Sequence, residues 1–259
     1  MSDDVLKDYP VVRVHRWYNR LADASLARKI NGRDPLSGRF LKTYVTNRVK
    51  DKEYSFPAPP YLISNHKVTA ALAFHRRVFL TEEKARLGAG GATSRWAGLV
   101  PRLKDGRWNG ASKISLYYES LVEIGSSFEI IRIQTSGTPE ERDLFTSLRG
   151  FQLRSDIEVT GQAKGNLITV RFQKWEATAL DRYDFNYDEY LTLPNPDFNS
   201  TDADAIKPDL ESFRVYHKNA KRMVDAGLAA PFRVKVGPWT VTAPAVTGPA
   251  DIDPAKPLR

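Results

Sequence analysis

The sequence contains no cysteine and only two methionines among its 259 residues. Without cysteine the chain forms no disulfide, no thiolate nucleophile, no zinc ribbon and no iron–sulfur site. A chain of this kind can pass between reducing and oxidising compartments without mispaired disulfides, which is compatible with export. The longest purely apolar run, at 70–74, is far too short to cross a bilayer, so we expect no transmembrane segment.

Several motifs of known chemistry are also missing. The chain has no glycine-rich phosphate loop ending in Lys-Ser or Lys-Thr, no His-Glu-x-x-His and no Gly-x-Ser-x-Gly. Its N-terminus carries acidic residues where a secretory signal peptide needs a basic start and an apolar run. We therefore expect a protein made in the bacterial cytoplasm without a signal peptide. Work outside the cytoplasm then requires another machine to carry it.

The charge balance favours anionic partners. Lys and Arg outnumber Asp and Glu to give a net charge of +8, which suits nucleic acid, lipid head groups or a polyphosphate substrate. The basic stretches 13–20, 75–77 and 218–222 are scattered and interleaved with acids. Nucleic-acid binding is therefore an alternative without a strong signal.

Hydrophobic periodicity predicts an α+β fold, with a helical N-terminal third followed by a mainly antiparallel β-sheet and two or three helices. Apolar residues follow helical spacing in 14–25 and 40–49, and Asn65 is placed to cap a third helix that reaches Phe79. Thr138-Pro-Glu-Glu141 is a capping box that begins a helix at 140–149, and another helix covers 216–226. Strands are predicted at 113–124, 129–134, 152–160 and 167–175, with a hairpin loop at 161–166.

Glycine and proline content indicates the domain boundaries. The glycine-rich stretch 87–94 predicts a flexible joint. The C-terminal segment after Thr242 is rich in proline and has little apolar content. We predict a helical region at 1–90, an α+β domain that carries the catalytic or toxin function at 91–243, and a disordered tail at 244–259.

An acidic and aromatic segment follows the last predicted strand. Asp181, Asp184 and Asp188 are spaced three and four apart, so on a helix they would share one face. Carboxylates gathered in this way repel each other unless a cation or a proton intervenes, and Mg²⁺ is a natural neutraliser that can also clamp a phosphate. The alternative is an acidic surface turn in which Tyr183 and Phe185 are anchored in the core.

The run Asp181-Arg-Tyr183-Asp184-Phe185 resembles the active-site signature of the colicin M family of bacteriocins. That resemblance implies a β-rich catalytic domain and Mg²⁺-dependent cleavage of lipid II between the undecaprenyl carrier and the pyrophosphoryl group. Asp181, Tyr183 and Asp184 match the first part of the signature. The His-Arg pair that follows in the family would fall at 190–191, where this chain has Tyr-Leu.

A basic cluster further along could supply the missing groups. His217, Lys218, Lys221 and Arg222 lie within six residues, and on a helix His217 shares a face with Lys221. A histidine can transfer a proton near neutral pH, and an arginine can bind a phosphate in a bidentate way. The alternative is a solvated basic helix face.

A second resemblance concerns the C-terminal half. The stretches 149–154, 194–197 and 215–232 are similar to uncharacterised bacterial proteins associated with type VI secretion. The resemblance implies an effector injected into the periplasm of a target cell, with secretion-machinery and immunity proteins as partners.

Together these observations predict an antibacterial effector, a phosphodiesterase that acts on lipid II or a related lipid-linked precursor of peptidoglycan. The predicted catalytic residues are Asp181, Tyr183, Asp184, His217 and Arg222, and the predicted Mg²⁺ ligands are Asp181, Asp184 and Asp188. The alternative is a non-enzymatic adaptor or structural protein of a secretion system, which the absence of a complete catalytic signature favours.

Overall fold

A computed structural model describes residues 4–81, 86–87, 98–125, 132–133, 136–185 and 190–249. The chain forms two compact units, each built from three segments. The first unit comprises 1–54, 124–149 and 181–234, and the second comprises 55–123, 150–180 and 235–259. The predicted domain boundaries at residues 90 and 243 stay a prediction. Residues 88–94 of the predicted joint at 87–94 lie outside the described residues.

The described part of the chain is an α+β fold with helices first and most strands later, as the sequence predicted. Its helices are α1 (Val11–Ala27), α2 (Leu36–Thr46), α3 (Pro60–Ile63), α4 (His66–Thr81), α5 (Leu99–Lys104), α6 (Pro139–Ser147) and α7 (Lys218–Asp225), and a 3₁₀ turn at Val5–Asp8 precedes them. Its strands are β1 (Glu53–Phe56), β2 (Arg86–Leu87), β3 (Ile114–Glu123), β4 (Gly150–Lys164), β5 (Leu167–Tyr183), β6 (Tyr190–Pro194), β7 (Ser212–Tyr216), β8 (Phe232–Thr240) and β9 (Val246–Pro249).

Local sequence signals place the ends of several helices correctly. The side chain of Asn65 accepts a hydrogen bond from the backbone N–H of Lys67 at 2.9 Å, which caps α4 as predicted. At α6 the Thr138 hydroxyl accepts from the Glu141 N–H, and the Glu141 carboxylate accepts from the Thr138 N–H. Both halves of the predicted capping box are therefore present.

Helix α2 is capped from another element. Asp143 of α6 is buried, and its two oxygens accept from the backbone N–H groups of Leu36 and Ser37, each at 2.9 Å. These N–H groups belong to the first turn of α2 and have no partner within that helix. The Asp143 carboxylate also meets the positive end of the helix dipole.

The larger sheet has the strand order β1-β8-β5-β4-β3-β2, and β9 pairs with β5. Strand β4 forms antiparallel ladders with β3 and β5. The predicted hairpin between β4 and β5 is present but tighter than expected, because β4 continues to Lys164 and β5 begins at Leu167. Gly165 takes φ +57° in this turn, a conformation that favours glycine.

Three expectations differ from the structure. Residues 190–194 and 212–216 form the antiparallel pair β6–β7, which the sequence did not predict. The described part of the predicted strand 129–134, Arg132 and Ile133, is helical, and the Ile133 carbonyl accepts a hydrogen bond from the Gly137 N–H four residues later at 3.1 Å. Within the expected disordered tail, Val246–Pro249 forms strand β9, because its backbone pairs with the edge that β5 offers at 167–170.

Candidate functional site around Asp181 and His217

The predicted acidic segment begins inside a strand. Asp181 and Tyr183 belong to β5, and Asp184 and Phe185 follow its last residue. In a strand alternate residues share a face, so Asp181 and Tyr183 lie on one side and Arg182 on the other. A helix that carries Asp181, Asp184 and Asp188 on one face is therefore not formed at 181–183. These residues continue strand β5, which extends further than the sequence pattern indicated.

Tyr183 is held in an aromatic cluster of the first unit. Its ring centroid lies 5.5 Å from that of Phe40, 6.0 Å from that of Tyr44 and 5.4 Å from that of Phe232. Burial raises the pKa of Tyr183, so the phenol stays neutral. This packing fixes the chain direction at the end of β5, where Asp181 precedes Tyr183 and Asp184 follows it in the sequence.

Asp181 has an unusual acidity. Burial raises the pKa of its carboxyl to about 7, the hydrogen bond from the Arg182 backbone N–H lowers it, and the charge of Asp184 raises it. That N–H lies 2.7 Å from the Asp181 Oδ1 atom. A carboxyl with such a pKa exists in both protonation states near neutral pH, which is the property that general acid–base chemistry needs.

Arg182 compensates the charge of Asp184. Its guanidinium lies between two carboxylates, with Nε 3.0 Å from the Asp51 Oδ1 atom and one terminal nitrogen 3.2 Å from the Asp184 Oδ2 atom. All three side chains are partly exposed, so each pair contributes at most about 1 kcal/mol to the free energy of unfolding. The Arg182 guanidinium therefore links Asp184 to Asp51 beside Asp181.

Phe185 brings His217 to the acidic segment. The Phe185 ring centroid lies 5.1 Å from that of His217, 5.0 Å from that of Tyr44 and 5.7 Å from that of Tyr183. His217 is 8% exposed and comes directly before α7. The structure therefore places this histidine next to the segment that carries Asp181 and Asp184, although 33 residues separate it from Asp184 in the sequence.

Arg222 contacts the N-terminal part of the first unit. One terminal nitrogen donates to the Leu6 carbonyl and to the Asn219 Oδ1 atom, each at 3.0 Å, and the other donates to the Tyr9 carbonyl at 2.7 Å. The guanidinium thus holds the segment that precedes α1. Its predicted role in binding a phosphate stays a prediction.

The magnesium site also stays a prediction. Within the described ranges, no group of three or more His, Asp or Glu side chains is arranged to hold a metal ion. Asp188, the third predicted ligand, lies outside the described residues. Asp181 and Asp184 are the two predicted ligands that the structure describes, and one of them is ion-paired with Arg182.

Sequence reasoning missed the residues that assemble this site. Tyr18 and Tyr44 had the spacing of helix core positions, which says nothing about their neighbours in other segments. Both pack against Phe185, and the Tyr18 ring centroid lies 6.4 Å from it. No local pattern could have shown this, because α1, α2 and the end of β5 are far apart in the chain.

No protein-family model matches the chain, and no curated protein sequence matches it either. Among solved structures, the chain is similar to PaeM, a colicin M-like bacteriocin produced by Pseudomonas aeruginosa, with 11% sequence identity and a TM-score of 0.32. The match covers 86% of this chain and 54% of the PaeM chain, so the chain spans about half the length of that protein.

Proposed function

We propose that this chain is an antibacterial effector that hydrolyses a phosphoester bond of lipid II or of a related lipid-linked cell-wall precursor. The observation that carries the proposal is the contact between Phe185 and His217, which joins the Asp181-x-Tyr183-Asp184 motif to a histidine within one unit. An acid with a pKa of about 7 and an imidazole are two groups that exchange protons near neutral pH.

Hydrolysis of such a bond needs a base, an acid and stabilisation of negative charge. Water attacks the electrophilic atom of the phosphoester bond and gives one proton to the base. The phosphoester bond breaks, and the leaving oxygen receives a proton from the acid or keeps its negative charge. Asp181 and His217 are the proposed proton carriers, and Asp184 is the proposed central carboxylate. Tyr183 is the positioning residue, because its packed ring fixes the strand end between the two aspartates.

The cofactor and the cellular setting belong to the same proposal. Mg²⁺ would be held by Asp184 and Asp188, together with Asp181 in its ionised form, and it would compensate the negative charge of the pyrophosphate. The net charge of +8 supports an anionic substrate at a membrane surface. In the described part of the chain no helix is long and apolar enough to span a membrane. Injection into the target periplasm by a secretion machine, with an immunity protein in the producer, completes the proposal.

The direct test is hydrolysis of purified lipid II in the presence of Mg²⁺. We expect the wild-type chain to release the lipid carrier, and we expect Asp184→Asn and Asp181→Asn to lower the rate at least a hundredfold. Asp209→Asn is the matched control, because Asp209 is an exposed aspartate of the same unit. Equal rates for wild type and Asp184→Asn, or no hydrolysis by any of them, would contradict the proposal.

A second candidate is a non-enzymatic adaptor of a secretion system. The observation that favours it is that Arg182, inside the acidic motif, and Arg222, the predicted phosphate-binding residue, already bind protein groups. Expression in the bacterial periplasm separates the two candidates. A hydrolase of cell-wall precursor should lyse the cells, and Asp184→Asn should abolish lysis, whereas an adaptor should leave growth unchanged.

A further inference from the structure

Arg76 lies on a buried face of α4 in the second unit. Helical spacing places it on the same face as Leu72, Phe79 and Leu80, and these three side chains are at most 8% exposed. The Nε atom and one terminal nitrogen of Arg76 are buried, and neither has a hydrogen-bond partner among the residues that the structure describes. The residue as a whole is partly exposed, so solvent reaches part of this side chain.

A guanidinium without a partner is unfavourable in this position. A buried ion loses its hydration, and the loss is compensated only when an opposite charge or hydrogen-bond acceptors replace the water. Burial lowers the pKa of Arg76, and no carboxylate within the described part of the chain offsets this shift. The cation therefore needs an anion that the described residues of its unit do not supply.

Trp175 of β5 is a second donor without a partner, and it lies beside this face of α4. Its ring centroid lies 6.0 Å from that of Phe79, which is one helical turn from Arg76, and 5.2 Å from that of Phe172. The side chain is 3% exposed, and its Nε1 atom has no acceptor among the described residues. An indole N–H can only donate a hydrogen bond, so a ligand for it must carry an acceptor.

Trp239 of β8 is a third such donor on the same face of the sheet. The Val241 N–H donates to the Trp175 carbonyl at 3.0 Å, so these two residues lie opposite each other in an antiparallel pair. Opposite residues share a face, and Trp239 is two residues before Val241, so its side chain lies on the face that carries Trp175. Trp239 is 7% exposed, and across the described ranges its Nε1 atom also has no partner.

We propose that Arg76, Trp175 and Trp239 bind the anionic head group of an amphipathic molecule between α4 and the sheet of the second unit. The unpartnered atoms of all three are N–H donors, which selects a negatively charged head group with acceptor oxygens, a carboxylate or a phosphate. The neighbouring side chains of Leu72 and Phe79 are apolar, which selects an apolar chain behind that head group. The site belongs entirely to the second unit and does not depend on the proposed hydrolysis.

The experiment measures the binding of decanoate, decyl phosphate and uncharged decanol to the intact chain by calorimetry, below the concentration at which each probe forms micelles. The two anions distinguish a carboxylate ligand from a phosphorylated one. We expect wild type to bind at least one anion about tenfold or more tightly than decanol, because the alcohol lacks the charge-assisted hydrogen bonds of the head group. Equal affinity for all three probes, or no binding of either anion, would overturn the proposal.

Two conservative variants locate the binding. Arg76→Gln removes the charge, and Trp175→Phe removes the indole N–H but keeps an aromatic ring. Arg77→Gln is the matched control, because Arg77 is the exposed neighbour on the same helix and its guanidinium lies over the Phe74 ring. We expect Arg76→Gln to weaken binding of the preferred anion about tenfold or more, Trp175→Phe to weaken it less, and Arg77→Gln to leave it unchanged. Unchanged affinity in Arg76→Gln, or an equal loss in Arg77→Gln, would refute the site.

Thermal unfolding of the ligand-free chains is a readout that does not depend on the choice of probe. Loss of a buried charge without a partner should raise the unfolding midpoint of Arg76→Gln above that of wild type. A lower midpoint, or a variant that does not fold, would mean that a protein group already holds the guanidinium, which contradicts the proposal. The preferred anion should raise the midpoint of wild type and of Arg77→Gln but not that of Arg76→Gln.

Discussion

The Nδ1 atom of His75 lies 2.8 Å from the Oγ atom of Ser155 in the interior of the second unit. On the other side of the ring, Nε2 lies 2.7 Å from the Ser120 Oγ atom. The imidazole is fully buried between α4 and the sheet, so both ring nitrogens find partners without solvent. This histidine is therefore held in its neutral form by its surroundings.

We expect the contribution of His75 to the stability of the chain to fall as the pH decreases from about 6.5 to about 4. Burial lowers the pKa of His75 from 6.5 to about 4, so in this window the unfolded chain binds a proton that the folded chain does not. The shift corresponds to about 3 kcal/mol in the free energy of unfolding, lost progressively over that window. Urea denaturation at pH 7 and pH 4 measures it.

His75→Gln provides the comparison for this effect. Its amide can replace one of the serine contacts but does not titrate, so the stability of wild type relative to this variant should fall by about 3 kcal/mol between pH 7 and pH 4. His66→Gln is the control, since His66 is exposed. Parallel pH profiles for wild type and His75→Gln would show that the acid sensitivity has another origin.

Asp181 should produce the opposite pH dependence. Its folded pKa of about 7 lies above its ordinary value of 3.8, so the folded chain holds a proton that the unfolded chain has lost between these limits. The contribution to stability therefore decreases as the pH rises from 3.8 through 7. The full shift equals about 4 kcal/mol, and partial exposure of the side chain reduces the expected effect to about 2 kcal/mol.

Asp181→Asn should thus stabilise the chain at pH 8 and leave it almost unchanged at pH 4. The amide oxygen can still accept from the Arg182 N–H, so the local geometry is retained. The control Asp209→Asn should show no such difference between the two pH values. If Asp181→Asn destabilises the chain at pH 8, the folded protein stabilises the ionised carboxylate, its pKa is not raised, and the acid–base role proposed for it is lost.

The capping of α2 by Asp143 should contribute more to the free energy of unfolding than the local capping box of α6 does. Asp143→Ala leaves the Leu36 and Ser37 N–H groups without their acceptor inside the protein, which costs about 2–4 kcal/mol in the free energy of unfolding. Thr138→Ala removes one exposed cap and should cost about 1 kcal/mol. Guanidinium denaturation of both variants tests the order, and equal losses would contradict the role of Asp143.

The two caps also show where sequence reasoning succeeds and where it ends. Thr138 and Glu141 are three residues apart, so the local sequence pattern predicts their reciprocal hydrogen bonds. The local pattern also predicts the cap that Asn65 provides at the start of α4. Asp143 acts on α2 across about a hundred residues, and no spacing rule predicts that. The sequence therefore predicted the helices and their ends better than their packing.

The second strand pair was missed for a similar reason. Asn195 lies between two prolines at the end of β6, and these prolines favour an irregular loop. In the structure Asn195 is buried, its amide donates to the carbonyls of Ile206, Lys207 and Leu210, and Trp17 donates to its Oδ1 atom. One side chain thus closes the loop that joins β6 to β7, an effect that composition cannot reveal.

The last prediction concerns the attachment of the N-terminal segment. Arg222→Lys keeps the charge but cannot reproduce the fork that reaches the Leu6 and Tyr9 carbonyls together. We expect amide hydrogen exchange in residues 4–9 to become at least tenfold faster, while exchange in α1 and α2 is unchanged. Mass spectrometry of peptic peptides measures this.

Lys221→Gln is the control for that exchange experiment, because Lys221 lies on the same helix but pairs with Asp225. If Arg222→Lys speeds exchange in 4–9 and Lys221→Gln does not, the arginine fork holds the segment on α7. If exchange in 4–9 is unchanged in both variants, the contacts of Asp4 with Lys218 and Asn219 hold the segment without the fork, and the prediction is wrong.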